Sequence, residues 1–214
     1  MEIQSYEPYH IGIKLSSTMP VEVLRQKILP KLDSFGFNEV AEEKKAQNIS
    51  HENEVIAKDG ANRIELNYPL TALNTVGTDP KNTTETFTKL LNVIKSLGYE
   101  LKGLTPSIDV VANVFVKTNK APTILINNSV KCDLDPWKEL NKNTNVNGLK
   151  IDLIDEEYGK ESLRILVGPS SLSPTTQIVL SIRYVNIQTD PIIDFGMKLE
   201  DRVKRFVNSL EVNH

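Results

Sequence analysis

The sequence predicts an α+β fold built from two similar halves, each with the order strand, helix, strands, helix. Several runs alternate apolar and polar residues as strands do, and other runs carry apolar stripes with helical spacing. The segment Thr-Asp-Pro occurs twice, at residues 78–80 and 189–191, each time before such a stripe. Because each half must bury its helices on a sheet, we expect a mainly antiparallel sheet with the long helices packed on one face.

The first half begins with an alternating run in which Ile11, Ile13 and Leu15 share one side. Asp59-Gly60 predicts a two-residue hairpin turn, because both turn positions of the favoured type need positive φ. A polar loop is then expected before the first Thr-Asp-Pro. In chain order we predict the strand YHIGIKLSS, a helix from Pro20 to Gly36 kinked or split at Pro30, two strands within residues 37–58, the strand RIELNY and a helix over residues 80–97.

The second half opens with a long strand over residues 108–117, which has apolar residues on both sides and is expected to be covered, at least partly, on both. The two halves are expected either to join through this strand into one continuous sheet or to pack as pseudo-twofold partners. The remaining predicted elements are the strand PTILIN, a short helix at DPWKEL, the strands GLKIDLID, LRILVG and TQIVLSIRYVNIQ, and a last helix carrying Leu199, Val203, Phe206, Val207 and Leu210.

The two halves match in register as well as in order. Ile11 falls on Ile124, and Leu90 falls on Val203, each 113 positions later. Pro20 falls on Pro136 after three inserted residues, and RIELNY falls against QIVLSI. These matches favour an internal duplication, with halves at residues 1–105 and 106–214 packed as one compact body. The alternative is convergence of two α+β halves that bury helices in the same way.

One stretch resembles a known family. The run RIELNYPLTALNTVGTDPKNTTETFTKLLNVIKSL, followed by SIDVVANVFVKTNKAP, is similar to a sporadically distributed, uncharacterised prokaryotic protein family. Its members join a strand to a loop with an aromatic residue and Thr, then a helix, then a long strand ending near Asn. They carry a middle Leu-Arg-Tyr-Ile-Asn strand, whose nearest match here is IRYVN at residues 182–186. The resemblance covers about half of the chain and implies a fold without a known activity.

Composition limits the classes of function. Hydrophobic residues make up 39% of the 214 residues and charged residues 25%, as in folded proteins. The net charge of −3 argues against a dedicated nucleic-acid binder. No apolar run is long enough to cross a membrane, and the first residues lack the pattern of a signal peptide. Cys132 is the single cysteine, which excludes a disulfide within the chain. We therefore expect a cytoplasmic protein.

The best candidate site lies on the two long strands of the second half. Arg183 is a charge within the most apolar strand, so it must be paired or must face a cleft or an interface. Asp109, Asn113 and Lys117 share one side of residues 108–117, where they are expected to form a polar groove with Arg183. His10 precedes the first strand and is the histidine expected to be partly buried. A structural ion pair, an exposed sheet face and a structural histidine are the alternatives.

Other polar groups do not predict a site. His51 and His214 have no spacing that indicates a metal or a catalytic pair. VGPSSLSP lacks the Gly-Lys-Ser/Thr ending of a phosphate loop, so we expect a loop between strands. The acidic group Asp152, Asp155, Glu156 and Glu157 is expected in a solvated turn rather than around Mg²⁺. We therefore expect no metal, no cofactor and no catalytic residue.

These patterns favour a non-enzymatic binding or assembly module that acts through its sheet face or through the junction of its halves. Its expected partner is another protein or a second copy of the chain, and no small-molecule ligand follows from the sequence. One alternative is an enzyme with a dispersed polar site between the halves, which requires His10, Arg183 and the acidic group to converge in a deep cleft. Another is nucleic-acid binding by a concave duplicated sheet.

Overall fold

The structure is a computed structural model that describes residues 2–16, 20–41, 53–100, 107–129, 148–154 and 161–212. These residues form an antiparallel sheet with helices packed on it, so the predicted α+β class with a mainly antiparallel sheet is confirmed. In chain order the elements are β1 (Glu2–Lys14), α1 (Val21–Leu32), β2 (Asn53–Asp59), β3 (Asn62–Asn67), β4 (Ala72–Gly77), α2 (Pro80–Ser96), β5 (Ser107–Lys117), α3 (Pro122–Ser129), β6 (Leu149–Ile154), β7 (Glu161–Pro169), β8 (Gln177–Asn186), α4 (Thr189–Met197) and α5 (Leu199–Val212).

The eight described strands form one sheet in the order β2-β3-β4-β1-β5-β8-β7-β6. Strands β1 and β5 pair antiparallel at its centre, with Ile11 opposite Val110 and Ile13 opposite Ile108. On its other side β5 pairs with β8 along its whole length. Strand β5 therefore lies inside one continuous sheet, between β1 and β8.

One side of the sheet is buried beneath helices. Alternate residues of β5, from Ile108 to Val116, are buried, and Tyr9, Ile11 and Ile13 of β1 share that side. Helix α2 packs on β1, β3 and β4, while α4 packs on β5, β8 and α2. The Tyr9 hydroxyl lies 3.3 Å from Oγ1 of Thr84 in α2. The core therefore runs without a break from the first helices to the last.

The hairpin between β2 and β3 is confirmed, with its turn one residue later than predicted. Asp59 is still in β2 and pairs with Asn62, so the turn residues are Gly60 and Ala61. Gly60 has a φ of 62°, which glycine adopts without the strain that a Cβ introduces. Helix α1 runs through Pro30 and ends at Leu32, so the predicted split is wrong.

The sequence PTILIN is not a strand. Residues of α3 are helical, and the N–H groups of Ile124 and Leu125 both donate to the carbonyl of Ala121. Leu125 and Ile126 are buried whereas Ile124 is 51% exposed, as a helix requires and strand alternation forbids. A short apolar run fits either structure, and Pro122 at the first helical position favours the helix. The match of Ile11 with Ile124 is therefore wrong.

The expected polar loop before the first Thr-Asp-Pro contains β4. Its residues ALNTVG are small or polar, yet Leu73, Thr75 and Val76 are buried because β4 lies between β1 and β3. The strand that precedes each Thr-Asp-Pro is thus β4 in the first half and β8 in the second. The match of RIELNY with QIVLSI is wrong for that reason.

The two Thr-Asp-Pro segments open helices differently. Asp79 is the N-cap of α2, and its Oδ1 accepts the N–H of Asn82 at 2.7 Å. Helix α4 already begins at Thr189 and has no side-chain cap. The single last helix of the prediction is two helices that meet at Lys198, and the apolar stripe with Val203 lies in α5.

This difference predicts unequal effects of the same substitution. Asp79→Ala removes the cap of a 17-residue helix and is expected to lower the free energy of unfolding by about 1 kcal/mol. Asp190→Ala is the matched control, and a smaller loss is expected, because Asp190 lies in the first turn of α4, where its charge interacts favourably with the helix dipole without a cap hydrogen bond. Urea unfolding of both variants checks this, and equal losses would contradict the assignment of the caps.

Several predictions fall on residues outside the described ranges. These are the helix at DPWKEL, the match of Pro20 with Pro136, the first of the two strands after residue 37 beyond Asn38, Cys132, His51, His214, Asp155, Glu156 and Glu157. Asn38 itself forms a bridge with Lys58. None of the described helices has the length and apolar character required to cross a membrane.

Candidate functional site

The five residues predicted from the sequence share one side of the sheet, the side opposite Tyr9 and Ile11. We call this side the open face. Its positions on the five central strands, β3, β4, β1, β5 and β8, are Arg63, Glu65, Asn74, Val76, His10, Gly12, Lys14, Asp109, Val111, Asn113, Phe115, Lys117, Val179, Ser181, Arg183 and Val185. Most of these side chains are half-buried or exposed. This placement supports neither a catalytic nor a binding role by itself.

Arg183 and Asp109 meet across β5 and β8. Nη2 of Arg183 donates to Oδ2 of Asp109 at 3.1 Å. The Arg183 side chain is 58% exposed and the Asp109 side chain 25%, so water competes with this ion pair. The arginine is therefore held by a partner and still presents its guanidinium to solvent.

Asn113 and Lys117 lie farther along β5. Asn113 accepts a hydrogen bond at 2.6 Å from Oγ of Ser181, the residue directly opposite on β8. Lys117 is at the end of β5, eight residues beyond Asp109, which corresponds to about 26 Å at the usual strand rise. The structure thus brings Asp109, Arg183 and His10 together at the centre and leaves Lys117 apart.

A glycine makes room at this centre. A Cβ on Gly12 would lie 2.7 Å from Oδ1 of Asn74 and 3.0 Å from Oδ1 of Asp109, so both side chains reach over the glycine. Sequence reasoning missed Asn74 because β4 was expected to be a loop. A glycine inside a strong strand is the available signal, since it marks a place where other groups approach the backbone closely.

His10 on β1 lies between Val76 and Val111, beside this cluster. Burial lowers the pKa of the imidazole below its ordinary value of 6.5, and the nearby Arg183 lowers it further. The carboxylates of Asp109 and Glu65 act in the opposite direction without cancelling the burial. His10 is therefore a neutral hydrogen-bonding group at neutral pH.

The lowered pKa predicts a dependence of stability on pH. As pH falls below 6.5, His10 is protonated in the unfolded chain before it is protonated in the folded one, so stability falls. His10→Gln removes this contribution and is expected to flatten the loss between neutral and mildly acidic pH. Urea unfolding of both proteins across that range checks the prediction, and identical slopes would contradict it.

Charges elsewhere on this side are also paired, either between neighbouring strands or along one strand. Asp152 of β6 contacts Lys150 and Arg164, and these cations lower the pKa of its carboxyl. Arg63 pairs with Glu65 on β3. In the described part of the chain, no group of three or more His, Cys, Asp or Glu residues is arranged to hold a metal ion. The absence of a cofactor stays a prediction.

Residues 170–176 join β7 to β8, so the loop predicted at VGPSSLSP is confirmed from Ser170 onward, whereas Val167, Gly168 and Pro169 belong to β7. The N–H of Ser170 donates to the carbonyl of Gln177, and Oγ of Ser170 accepts the N–H of Leu172. These bonds give the serine a structural role in the turn.

No protein-family model, no curated protein and no solved structure matches this chain.

Proposed function

We propose that this chain is a non-enzymatic binding module whose open face engages a protein partner at the junction of β1 and β5. The observation that carries the proposal is the cluster of Arg183, Asp109, Asn74 and His10 at the centre of an eight-stranded sheet. Among the described residues, the helices α2 and α4 lie on the other side. The cluster is therefore accessible to a flat partner.

The side chains around the cluster suit a protein interface. Val111, Phe115, Val179 and Val185 are half-buried on the open face, and they lie between the polar pairs. Interfaces of this kind combine an apolar centre with arginine and paired polar groups. Arg183 combines exposure with a fixed position, which lowers the entropy lost when a partner binds.

We also propose that the fold is a duplicated unit with its long helices on one face. The strand order supports this, because β2-β3-β4-β1 in the first half corresponds to β6-β7-β8-β5 in the second. Each unit then runs strand, helix, three strands, helix, with the first strands β1 and β5 adjacent. A duplication places the cluster where the two units meet. Residues 1–105 and 106–214, the family resemblance and a cytoplasmic location remain predictions from the sequence.

The enzyme alternative has less support. It requires His10, Arg183 and an acidic group in a deep cleft, whereas the Arg183 side chain is more than half exposed. Asp109, the acid nearest to Arg183, forms an ion pair with it.

Nucleic-acid binding also has less support. Binding of single strands relies on several aromatic side chains that stack on bases. Among the open-face positions of the five central strands, Phe115 is the aromatic residue. The positive charges Arg183, Arg164 and Arg63 are all paired with carboxylates.

Affinity capture from the native cell tests the proposal. We expect the tagged chain to retain a defined protein partner, and Arg183→Glu to lower the affinity for it at least about tenfold, as loss of an interface arginine does. Arg205→Glu, an exposed charge on α5, is the matched control and is expected to bind as the wild type does. Light scattering after size-exclusion chromatography shows whether the partner is a second copy.

Two outcomes would contradict the proposal. One is a strict monomer that retains no partner. The other is binding that Arg183→Glu and Arg205→Glu weaken equally. Filter binding of DNA and RNA at low and high salt supplies a further test, because a complex held by phosphate contacts weakens steeply with salt. Such steep dependence would replace the protein partner with a nucleic acid.

A further inference from the structure

A cavity of about 450 Å³ lies on the helix side of the sheet, between β6, β7 and β8 and the helices α4 and α5. It is separate from the open face, because Tyr184 and Leu163 in its wall project from the side of the sheet that α4 covers. Its size is that of a small-molecule site. Its ligand is therefore independent of the open-face partner proposed above.

In the first half, side chains fill the corresponding space between the helix and the strands. There Oγ1 of Thr83 in α2 donates to Oδ1 of Asn62 at 2.9 Å, and a Cβ on Gly77 would lie only 2.1 Å from that same oxygen. Asp194 of α4 lies three residues after the second Thr-Asp-Pro, as Thr83 lies three residues after the first, and Glu161 begins β7 as Asn62 begins β3. Both Glu161 and Asp194 line the cavity. Two ionised carboxylates have no proton to share, so they cannot form the hydrogen bond that joins Thr83 to Asn62.

Glu161 places a negative charge in the lining of this cavity. Its Oε1 accepts a hydrogen bond at 2.6 Å from the hydroxyl of Tyr184, and Asn186 donates to that hydroxyl at 3.2 Å. Burial and the carboxylate raise the pKa of Tyr184 to about 12, so the hydroxyl stays protonated and keeps donating. The hydrogen-bond partner of Glu161 is therefore a neutral hydroxyl, which does not offset the charge of the carboxylate.

Arg202 places a positive charge in the lining of the same cavity. Its Nη2 donates to Oδ2 of Asp194 at 3.1 Å, and its guanidinium carbon lies 5.3 Å from the ring centre of Phe195. Lys198 also pairs with Asp194, so two cations share one carboxylate. Together these three groups carry a net positive charge. Among the described ion pairs none joins Glu161 to Arg202. Tyr184 therefore holds Glu161 in place, and Asp194 holds Arg202.

Between and beside Glu161 and Arg202, the lining of the cavity is apolar. Phe195 stacks on Tyr184 with ring centres 4.3 Å apart, and Leu153 and Pro191 complete the lining. An apolar crevice continues from Leu163 and Phe195 between the sheet and α5. The lining thus combines the Glu161 carboxylate, the Arg202 guanidinium with its paired Asp194, and an apolar crevice. This combination matches a zwitterion with an apolar side chain.

We propose that this cavity binds a free α-amino acid with an apolar side chain. Glu161 receives the ammonium group, Arg202 receives the carboxylate, and the crevice beside Leu163 receives the side chain. The Tyr184 hydroxyl holds the Glu161 carboxylate in position and is a positioning group rather than a direct ligand.

A thermal-shift screen of the proteinogenic L-amino acids tests the proposal, with each at about 10 mM because stabilisation grows with ligand concentration over Kd. We expect leucine, isoleucine, valine or methionine to raise the midpoint of unfolding, and calorimetry to give one site per chain. The amine and the carboxylic acid that correspond to the best binder, each lacking one charged group, are expected to bind at least about tenfold more weakly.

Variants assign the site. Glu161→Gln keeps a hydrogen-bond acceptor for Tyr184, and Arg202→Gln keeps a polar group, so both are expected to fold and to weaken binding at least about tenfold. Arg205→Gln on the same helix is the control and is expected to bind normally. The proposal is overturned if no amino acid binds, if the amine alone binds equally well, or if the best binder tolerates both cavity variants.

Discussion

Gly196→Ala is expected to lower the free energy of unfolding by about 2 kcal/mol, as overpacking of a tight helix contact does. A Cβ at this position of α4 would lie 2.2 Å from Oγ1 of Thr84 in α2 and 2.8 Å from the Tyr9 hydroxyl. Alanine favours the helix by about 1 kcal/mol over glycine, but the clash at 2.2 Å outweighs that gain. The contact joins helices of the two halves. Urea unfolding measures the loss.

A double variant separates the clash from other effects. Thr84→Ala removes the oxygen that the new methyl group meets, although it also removes the hydrogen bond from Thr84 to the Pro80 carbonyl. We expect Thr84→Ala with Gly196→Ala to be more stable than the sum of the single losses predicts. Strict additivity would show that α2 and α4 do not meet at this glycine.

Arg25→Met is expected to lower the free energy of unfolding by about 2 kcal/mol, less than breaking a fully buried ion pair costs, because the Arg25–Glu54 pair is only partly buried. Arg25 of α1 donates from Nε and Nη2 to both oxygens of Glu54 in β2, at 2.8–3.1 Å. Tyr68 also donates to this carboxylate at 2.8 Å. The Arg25 side chain is only 12% exposed, so its loss leaves Glu54 without its guanidinium in a poorly solvated place.

Two further proteins control this prediction. Arg164→Met breaks the exposed pair with Asp152 and is expected to leave the midpoint of unfolding unchanged. Arg25→Met with Glu54→Leu removes both charges, and we expect it to recover much of the stability, because an apolar pair avoids the desolvation of ions. Equal losses in Arg25→Met and Arg164→Met would contradict the burial of the Arg25 pair.

Long periodic segments were predictable from the sequence because their pattern is set by burial. The alternation of Ile108 to Val116 gave β5, and the apolar stripe with Phe87 gave α2. Short runs were not predictable, since a few apolar residues fit both periods, as α3 shows. Strand β4 was missed because it is a strand through its pairing with β1 and β3, which bury Thr75, and this pairing does not depend on the propensity of Asn74.

The candidate site was predictable only in part. A charge within an apolar strand indicated Arg183, and strand alternation placed Asp109 and Asn113 on a common side. Register is a property of strand pairing, so the contact of Arg183 with Asp109 and the approach of Asn74 to Gly12 required the assembled sheet. The cavity lined by Glu161 was not predictable from the sequence, because it depends on how α4 and α5 pack against the strands.

Site-specific photo-crosslinking in the native cell is the most direct test of binding through the open face. A photoreactive residue at Val111, beside Arg183 on that face, is expected to crosslink one defined protein, and Arg183→Glu is expected to abolish the product. The same probe at Val23, which is 39% exposed on α1, is expected to give none. A product at Val23 but not at Val111 would show that the partner binds the helix side and would contradict the proposed function.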